Sequence, residues 1–214
     1  MTVTLVLASA SPARRALLLS AGVEPVFRVC GVDEPAIEAA LAAQGRTAPA
    51  DVCSALAVAK AEAVADDVRR EHPGAVVVAC DSVLDLDGVA LGKPTDAADA
   101  VARWHAMRGR EGVLRTGHTV VRLGGDRDGD AEVSAVASTL VRFADLDDAT
   151  IEAYVATGEP LQVAGAFTLD GLGGPFVEGV DGDPANVVGL SLPLLRHLLA
   201  DLGVPWTSLW ADRA

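Results

Sequence analysis

Apolar positions along this chain alternate between short runs of strand length and stripes with helical period. Thr2 to Ala8 is a mostly β-branched and aliphatic run that predicts a first strand. Ser11 then stands as a natural N-cap with Pro12 at the first helical position, where its missing N–H costs nothing, so a helix follows at once. Val26 to Cys30 predicts a second short strand leading into Gly31-Val32-Asp33-Glu34-Pro35. Helical patterns cover about 35–43 and 50–72, and in the longer one Cys53, Leu56, Ala57, Lys60, Ala61, Val64 and Val68 share one stripe. Lys60 therefore sits on the apolar face, where it either snorkels to the rim of the core or reaches an anion in an adjoining cleft.

His72-Pro73-Gly74 ends that helix, and Ala75 to Cys80 is a continuous apolar run, the pattern of a strand buried on both faces, with Asp81 at its end. Ligands in open α/β sheets gather at the carboxyl ends of central strands, which makes Asp81 a site candidate. Val83 to Leu91 alternates around Asp87-Gly88, a preferred hairpin turn, and delivers Gly92-Lys93-Pro94. A helix is expected over about 97–107, long strands over Val113 to Leu123 and Glu132 to Phe143, and a polar turn over 124–130 between them. Asp147-Asp148-Ala149-Thr150 opens a helix that ends at Gly158. Two further strands, Val163 to Leu169 and Phe176 to Val180, precede a last helix over about 191–202. The sum is one α/β unit spanning 1–214, built on a highly twisted mixed sheet flanked by helices.

Half of the 214 residues are apolar but only 4% are aromatic, so close helix and strand packing should replace large anchors. A net charge of −13 repels polyanions, which argues against a nucleic-acid polymer or an anionic membrane as partner. Cys30, Cys53 and Cys80 form no CxxC pair, and no apolar stretch reaches membrane-spanning length without interruption, so a cytoplasmic protein is expected. Of the 17 cationic side chains only Lys60 and Lys93 are lysines, compact point charges of the kind phosphate sites use.

Against this acidic background the strand-to-helix segment Leu7-Ala8-Ser9-Ala10-Ser11-Pro12-Ala13-Arg14-Arg15 is a candidate phosphate cradle, combining free helix amides with two arginines. Taken alone, the segment reads more readily as a capped helix with ordinary surface arginines. Collected, Arg14, Arg15, Lys60 and Lys93 supply positive charge, while Glu34, Asp81 and Asp183 supply oxygen ligands of the type that bind Mg²⁺ or Mn²⁺ beside substrate phosphates. The four histidines show no metal-ligand spacing.

These motifs, with Gly31-Val32-Asp33-Glu34, Cys80-Asp81-Ser82, Leu91-Gly92-Lys93-Pro94, Thr157-Gly158-Glu159-Pro160, Ala164-Gly165-Ala166-Phe167, Gly182-Asp183 and Val188-Gly189-Leu190, resemble in their order the Maf-type nucleoside triphosphate pyrophosphatases of high-GC bacteria. The resemblance implies an elongated two-lobed α/β fold with a central cleft, like that of inosine triphosphate pyrophosphatases. It also implies hydrolysis of a nucleoside triphosphate to monophosphate and pyrophosphate with a divalent cation, a possible homodimer, and a possible role in cell-division arrest. Carried over by residue, Asp81 is the catalytic proton acceptor and a metal ligand with Glu34. Ser9, Ser11, Arg14, Arg15, Lys60, Ser82, Lys93 and Asp170 line the substrate. The chain departs from the family pattern at Ala13, Ser82, Gly112 and Asp170, the last standing where pyrimidine-selective members have glutamine.

Two other readings compete. Val83-Leu84-Asp85-Leu86-Asp87-Gly88-Val89 resembles the nucleophile motif of haloacid-dehalogenase-type phosphatases, with Gly125-Asp126 to Asp130 as its acidic partner motif. The other is a nucleotide sensor that binds without significant turnover.

Overall fold

The computed structural model describes residues 3–124 and 129–210. Seven strands form one mixed sheet: β1 (Leu5–Ala8), β2 (Val26–Arg28), β3 (Val76–Leu86), β4 (Val89–Leu91), β5 (Glu111–Arg122), β6 (Ala131–Phe143) and β7 (Val177–Asp181). Their order is β2-β1-β3-β5-β6-β7, with β4 folded back onto β3. β1 is parallel to β2 and β3, whereas β3, β5, β6 and β7 are joined antiparallel. Helices α1 (Pro12–Ser20), α2 (Glu34–Ala43), α3 (Pro49–Glu71), α4 (Ala97–Met107), α5 (Asp148–Ala156), α6 (Pro184–Val188) and α7 (Leu192–Asp201) complete the chain.

Side-chain alternation along β3 organises the interior. Val76, Val78 and Cys80 pack toward Leu18 of α1 and Leu195, Leu198 and Leu199 of α7. Val77 and Ala79 point to the opposite face, against Ala61, Val64 and Val68 of α3. Further along, Leu84 and Leu86 belong to a different cluster around Trp104, Phe143 and Tyr154. Asp81 and Ser82 thus fall in the polar interval between two apolar sections of one strand.

The aromatic-poor composition does not translate into an anchor-free core. Trp104 is fully buried and makes edge-on contacts with Phe143, Tyr154 and Phe176 at centroid distances of 5.8, 5.6 and 6.1 Å, and Phe167 meets Phe143 at 4.9 Å. Five of the large rings gather at one end of the sheet, while the other end packs chiefly through valine, leucine and alanine with Phe27 and Trp206 at its margin.

Three expectations need correction. The strand carrying Asp81 does not stop there, because β5 pairs with β3 without a break from Val76 to Asp85, so the runs on either side of Asp81 are one strand. Val163 to Leu169 is not a strand. Gly165 and Ala166 adopt left-handed backbone at φ 70° and 59°, which breaks extension, and the Trp104 indole N–H donates to the Ala166 carbonyl at 2.8 Å. Its apolar residues plug the aromatic cluster instead. Helix α6 lies between the predicted last strand and last helix, where no element is expected. Thr2 and residues 125–128 of the polar turn lie outside the described residues. No described helix is long and apolar enough to cross a membrane.

His118 of β5 is buried between β5 and α7. Its Nδ1 lies 3.0 Å from the Thr116 carbonyl, and its Nε2 accepts the Ser191 N–H at 2.9 Å. This pairing requires the neutral ring protonated on Nδ1. Burial depresses the His118 pKa from 6.5 to about 4. The unfolded chain therefore takes up this proton first as pH falls, so the contribution is present above about 6.5 and is lost on the way to about 4. Urea unfolding should show stability falling by about 3 kcal/mol across that window from this group. A His118→Gln variant should show a correspondingly flatter pH dependence.

Candidate functional site

The site lies where the sheet opens. On its outer edge β3 pairs with β1 only through Val78 and with β4 only from Leu84, leaving the intervening backbone without a strand partner on that side. At the end of β1, Ser9 to Ser11 turn the chain into α1. The Ser9 hydroxyl accepts the Ser11 N–H at 3.1 Å, and Ser11 caps the helix by accepting the Arg14 N–H at 3.4 Å.

Arg14 bridges the gap. Its guanidinium donates to the Cys80 carbonyl at 2.8 Å, Ser9 Oγ at 3.2 Å, Ser82 Oγ at 3.0 Å and the Gly189 carbonyl at 2.7 Å. One side chain thus replaces the missing strand partner at Cys80 and ties together β1, β3 and the end of α6. Gly189 permits this approach, since it sits at φ 123° and a Cβ there would stand 3.1 Å from Arg14 Nε. Ser82 meets the hydroxyl of Thr116 at 2.9 Å, and Thr116 donates onward to the Asn186 carbonyl.

The opposite face carries the carboxylates. Asp81 projects toward α3, and its cross-strand neighbour is Gly117. A Cβ on Gly117 would collide with the backbone of Cys53 and Ser54, so the glycine lets α3 lie directly on β5. Two turns after Cys53, Lys60 meets Asp81 Oδ1 at 2.5 Å and Glu34 Oε1 at 2.7 Å. Of the two roles open to Lys60, pairing with anions is the one observed. Glu34 stands in the first turn of α2, capped by Asp33.

Burial pushes the Asp81 pKa up, against the pull of Lys60 and Arg14, and Glu34 adds to the rise. Burial alone would lower that of Lys60, but Asp81 and Glu34 outweigh it and hold the ammonium charged. The result is a buried carboxylate with raised proton affinity beside a permanent cation. A third carboxylate belongs to this field. Glu38, one helical turn after Glu34, has a raised pKa from partial burial and from the charges of Asp81 and Glu34. The Glu34-to-Glu38 spacing on a helix was the available signal for it.

Other site candidates are placed differently. Arg15 is exposed, with its guanidinium carbon 4.5 Å above the Phe27 ring. Lys93 is exposed and has no side-chain partner among the described residues. It follows Leu91, whose partner is Leu84, and so leaves β4 near the open edge. Asp170 is exposed and has no hydrogen bond or ion pair to these groups among the described residues. Asp183 caps α6 through the Ala185 N–H at 2.9 Å.

Glu34 and Asp81 each commit one oxygen to Lys60 and retain a second one. That donor set suits a hard divalent cation that completes its shell with water and phosphate oxygens. Among the described residues there is no cluster of three or more histidine, cysteine or carboxylate side chains that could enclose a metal alone.

Removing the cation should expose the cost of the buried carboxylate. A Lys60→Met variant should lose about 3 kcal/mol at pH 8 and less at pH 5, because burial favours the neutral form of Asp81, and regain much of the loss in combination with Asp81→Asn. Urea unfolding at both pH values checks this.

The haloacid-dehalogenase reading finds no free nucleophile. Both oxygens of Asp85 are engaged, one by the Gly88 N–H at 2.9 Å and one by Arg115 at 2.8 Å. Asp130 is paired with Arg69 and the Gly124 N–H, and Asp126 lies outside the described residues.

Known proteins resemble this chain along nearly its whole length. The family model described as Maf-like protein matches residues 4–202. A nucleoside triphosphate pyrophosphatase of Streptomyces coelicolor is 58% identical over 207 residues, covering 97% of this chain and 94% of that protein. Proteins of the same name from Nocardia farcinica, 55% identical with all of both chains covered, and Salinispora tropica, 55% identical over 97% of this chain and 87% of its own length, are similarly close. With a family model matched over nearly its whole length and relatives more than half identical to it, the chain belongs to the Maf family.

Proposed function

We propose that this protein hydrolyses nucleoside triphosphates to the monophosphate and pyrophosphate at the open edge of β3. The observation that carries the reading is the Lys60–Asp81 pair, a proton-accepting carboxylate and a fixed cation 2.5 Å apart in a buried setting. The names of the relatives support the same chemistry. The sensor reading explains neither those names nor a buried carboxylate of raised proton affinity.

Phosphoanhydride hydrolysis asks the protein mainly for positioning and electrostatic stabilisation, and no covalent nucleophile is needed. Asp81 orients a water molecule and accepts its proton as the oxygen attacks phosphorus; its raised pKa brings it closer to the pKa of a working general base. Lys60 holds the Asp81 carboxylate in place and offers its charge to phosphate oxygens. Lys93, beyond β4, and the N-terminal turn of α1 with Ser9 and Ser11 face the charge that builds on the departing pyrophosphate. Arg14 contributes its charge while its hydrogen bonds keep the segment around Ser9 and Ser82 in register. Glu34 and Asp81 would hold a divalent ion, Mg²⁺ or Mn²⁺, which supplies Lewis-acid neutralisation of the phosphate oxygens.

Asp81→Asn should keep its fold and lose about two or more orders of magnitude in turnover, measured as pyrophosphate released from a panel of normal and modified triphosphates. Near-normal turnover would refute the assignment, and release of orthophosphate in place of pyrophosphate would refute the reaction. Treatment with a chelator should abolish turnover, and added Mg²⁺ or Mn²⁺ should restore it; full activity in the chelator would remove the ion from the reading.

A further inference from the structure

Lys93 is the one lysine of the chain whose ammonium has no partner among the described residues, and it sits in a connection with no regular secondary structure. A flexible exposed lysine offers a phosphate little directional help, because its side-chain freedom must be given up on binding. The backbone beneath it, however, is tightly held. Arg103 of α4 donates from Nη1 to the Gly92 carbonyl at 2.6 Å and from Nη2 to the Lys93 carbonyl at 3.4 Å.

Arg103 is itself fixed. Asp99, one turn earlier on α4, accepts from its Nε at 3.0 Å and its Nη2 at 2.8 Å, in the two-pronged geometry that orients a guanidinium plane. The same carboxylate accepts the Thr95 N–H at 2.9 Å, so Asp99 grips the connection two residues beyond Lys93. The Asp99 pKa is lowered, first by its hydrogen bond from Arg103 and then by the Thr95 amide. From the other side, the Gly165 N–H donates to the Gly92 carbonyl at 3.0 Å. Helix α4 is in turn anchored by fully buried Trp104, the residue next to Arg103. The side chain of Arg103 is only 14% exposed, so its charge is turned onto these carbonyls and away from solvent.

We propose that Arg103, oriented by Asp99, is a positioning residue for triphosphate hydrolysis, fixing the backbone of Gly92 and Lys93 so that the Lys93 ammonium is delivered to the substrate phosphates at the open edge of β3. This inference rests on the reading of Lys93 as a phosphate-binding cation. Its geometry is specific to a planar fork: a lysine at position 103 would place one point charge where the guanidinium reaches two carbonyls and a carboxylate together.

A double-mutant cycle on pyrophosphate release tests it, with Arg103→Met, Lys93→Ala and the double variant, and with thermal melts of each. Lys93→Ala should lower kcat/KM by about tenfold or more, and Arg103→Met by a similar factor of about tenfold, since small misplacement of a charged group carries losses of this order. The double variant should be no worse than Lys93→Ala alone, because Arg103 acts through Lys93. Arg103→Lys should restore less than half of the lost activity while melting within a few degrees of the parent.

Additive losses in the double variant, or unchanged kinetics in Arg103→Met, overturn the proposal and leave the phosphate role of Lys93 standing. Parental kinetics in Lys93→Ala overturn that role itself, and the positioning proposal with it. If Arg103→Met proves too unstable to assay, Asp99→Asn frees the guanidinium without removing it. It must then show the same loss and the same non-additivity with Lys93→Ala.

Discussion

The ion pair between Lys60 and Asp81 is the constraint around which the rest of the site is arranged. A carboxylate this deep in a sheet costs several kcal/mol unless a cation shares its surroundings, and the cation must itself be held in place. The helix supplying it can approach only because Gly117, directly across from Asp81, has no side chain to hold α3 away. Glu34 then closes the pair from α2. Strand, helix and glycine form a single arrangement, in which loss of Lys60 leaves the buried Asp81 carboxylate without its cation.

A second constraint is the interruption in strand pairing along β3. Parallel pairing with β1 ends early and the β4 hairpin begins late, so polar backbone would be stranded between them. Arg14 resolves this by giving its hydrogen bonds to the Cys80 and Gly189 carbonyls and to two serines. The middle of a central strand is thereby held by one side chain in place of a neighbouring strand. Its two sides differ in character, hydroxyls and a guanidinium on one face and carboxylates with an ammonium on the other, because neighbouring residues of a strand point to opposite faces.

The apolar interior divides accordingly. Aliphatic packing with α1, α3 and α7 supports the end of the sheet that presents Ser9, Ser11 and Arg14. The aromatic cluster around Trp104 supports the end that presents Lys93. Arg14 and Lys60 reach the polar interval of β3 from its opposite faces, so a chain with strongly negative net charge still concentrates positive charge there.

Much of this was legible in the residues themselves. The alternation of strand and helix periods placed most elements. The helical stripe put Lys60 on a buried face, and the order of short motifs identified the family, because local propensity and hydrophobic period act over a few residues. Neighbours far apart in sequence decided the rest. Asp81 looked like a strand terminus because polarity interrupts the apolar run, yet β5 continues the ladder past it. The run from Val163 to Leu169 has strand character, but left-handed backbone at Gly165 and Ala166 and a hydrogen bond from Trp104 turn it into a plug. Nothing local marks Arg103 as the support of Lys93, and the helical spacing of Glu34 and Glu38 does not by itself bring them to Asp81. Those relations arise only when a helix and a loop, or a helix and a distant strand, are brought together by tertiary packing.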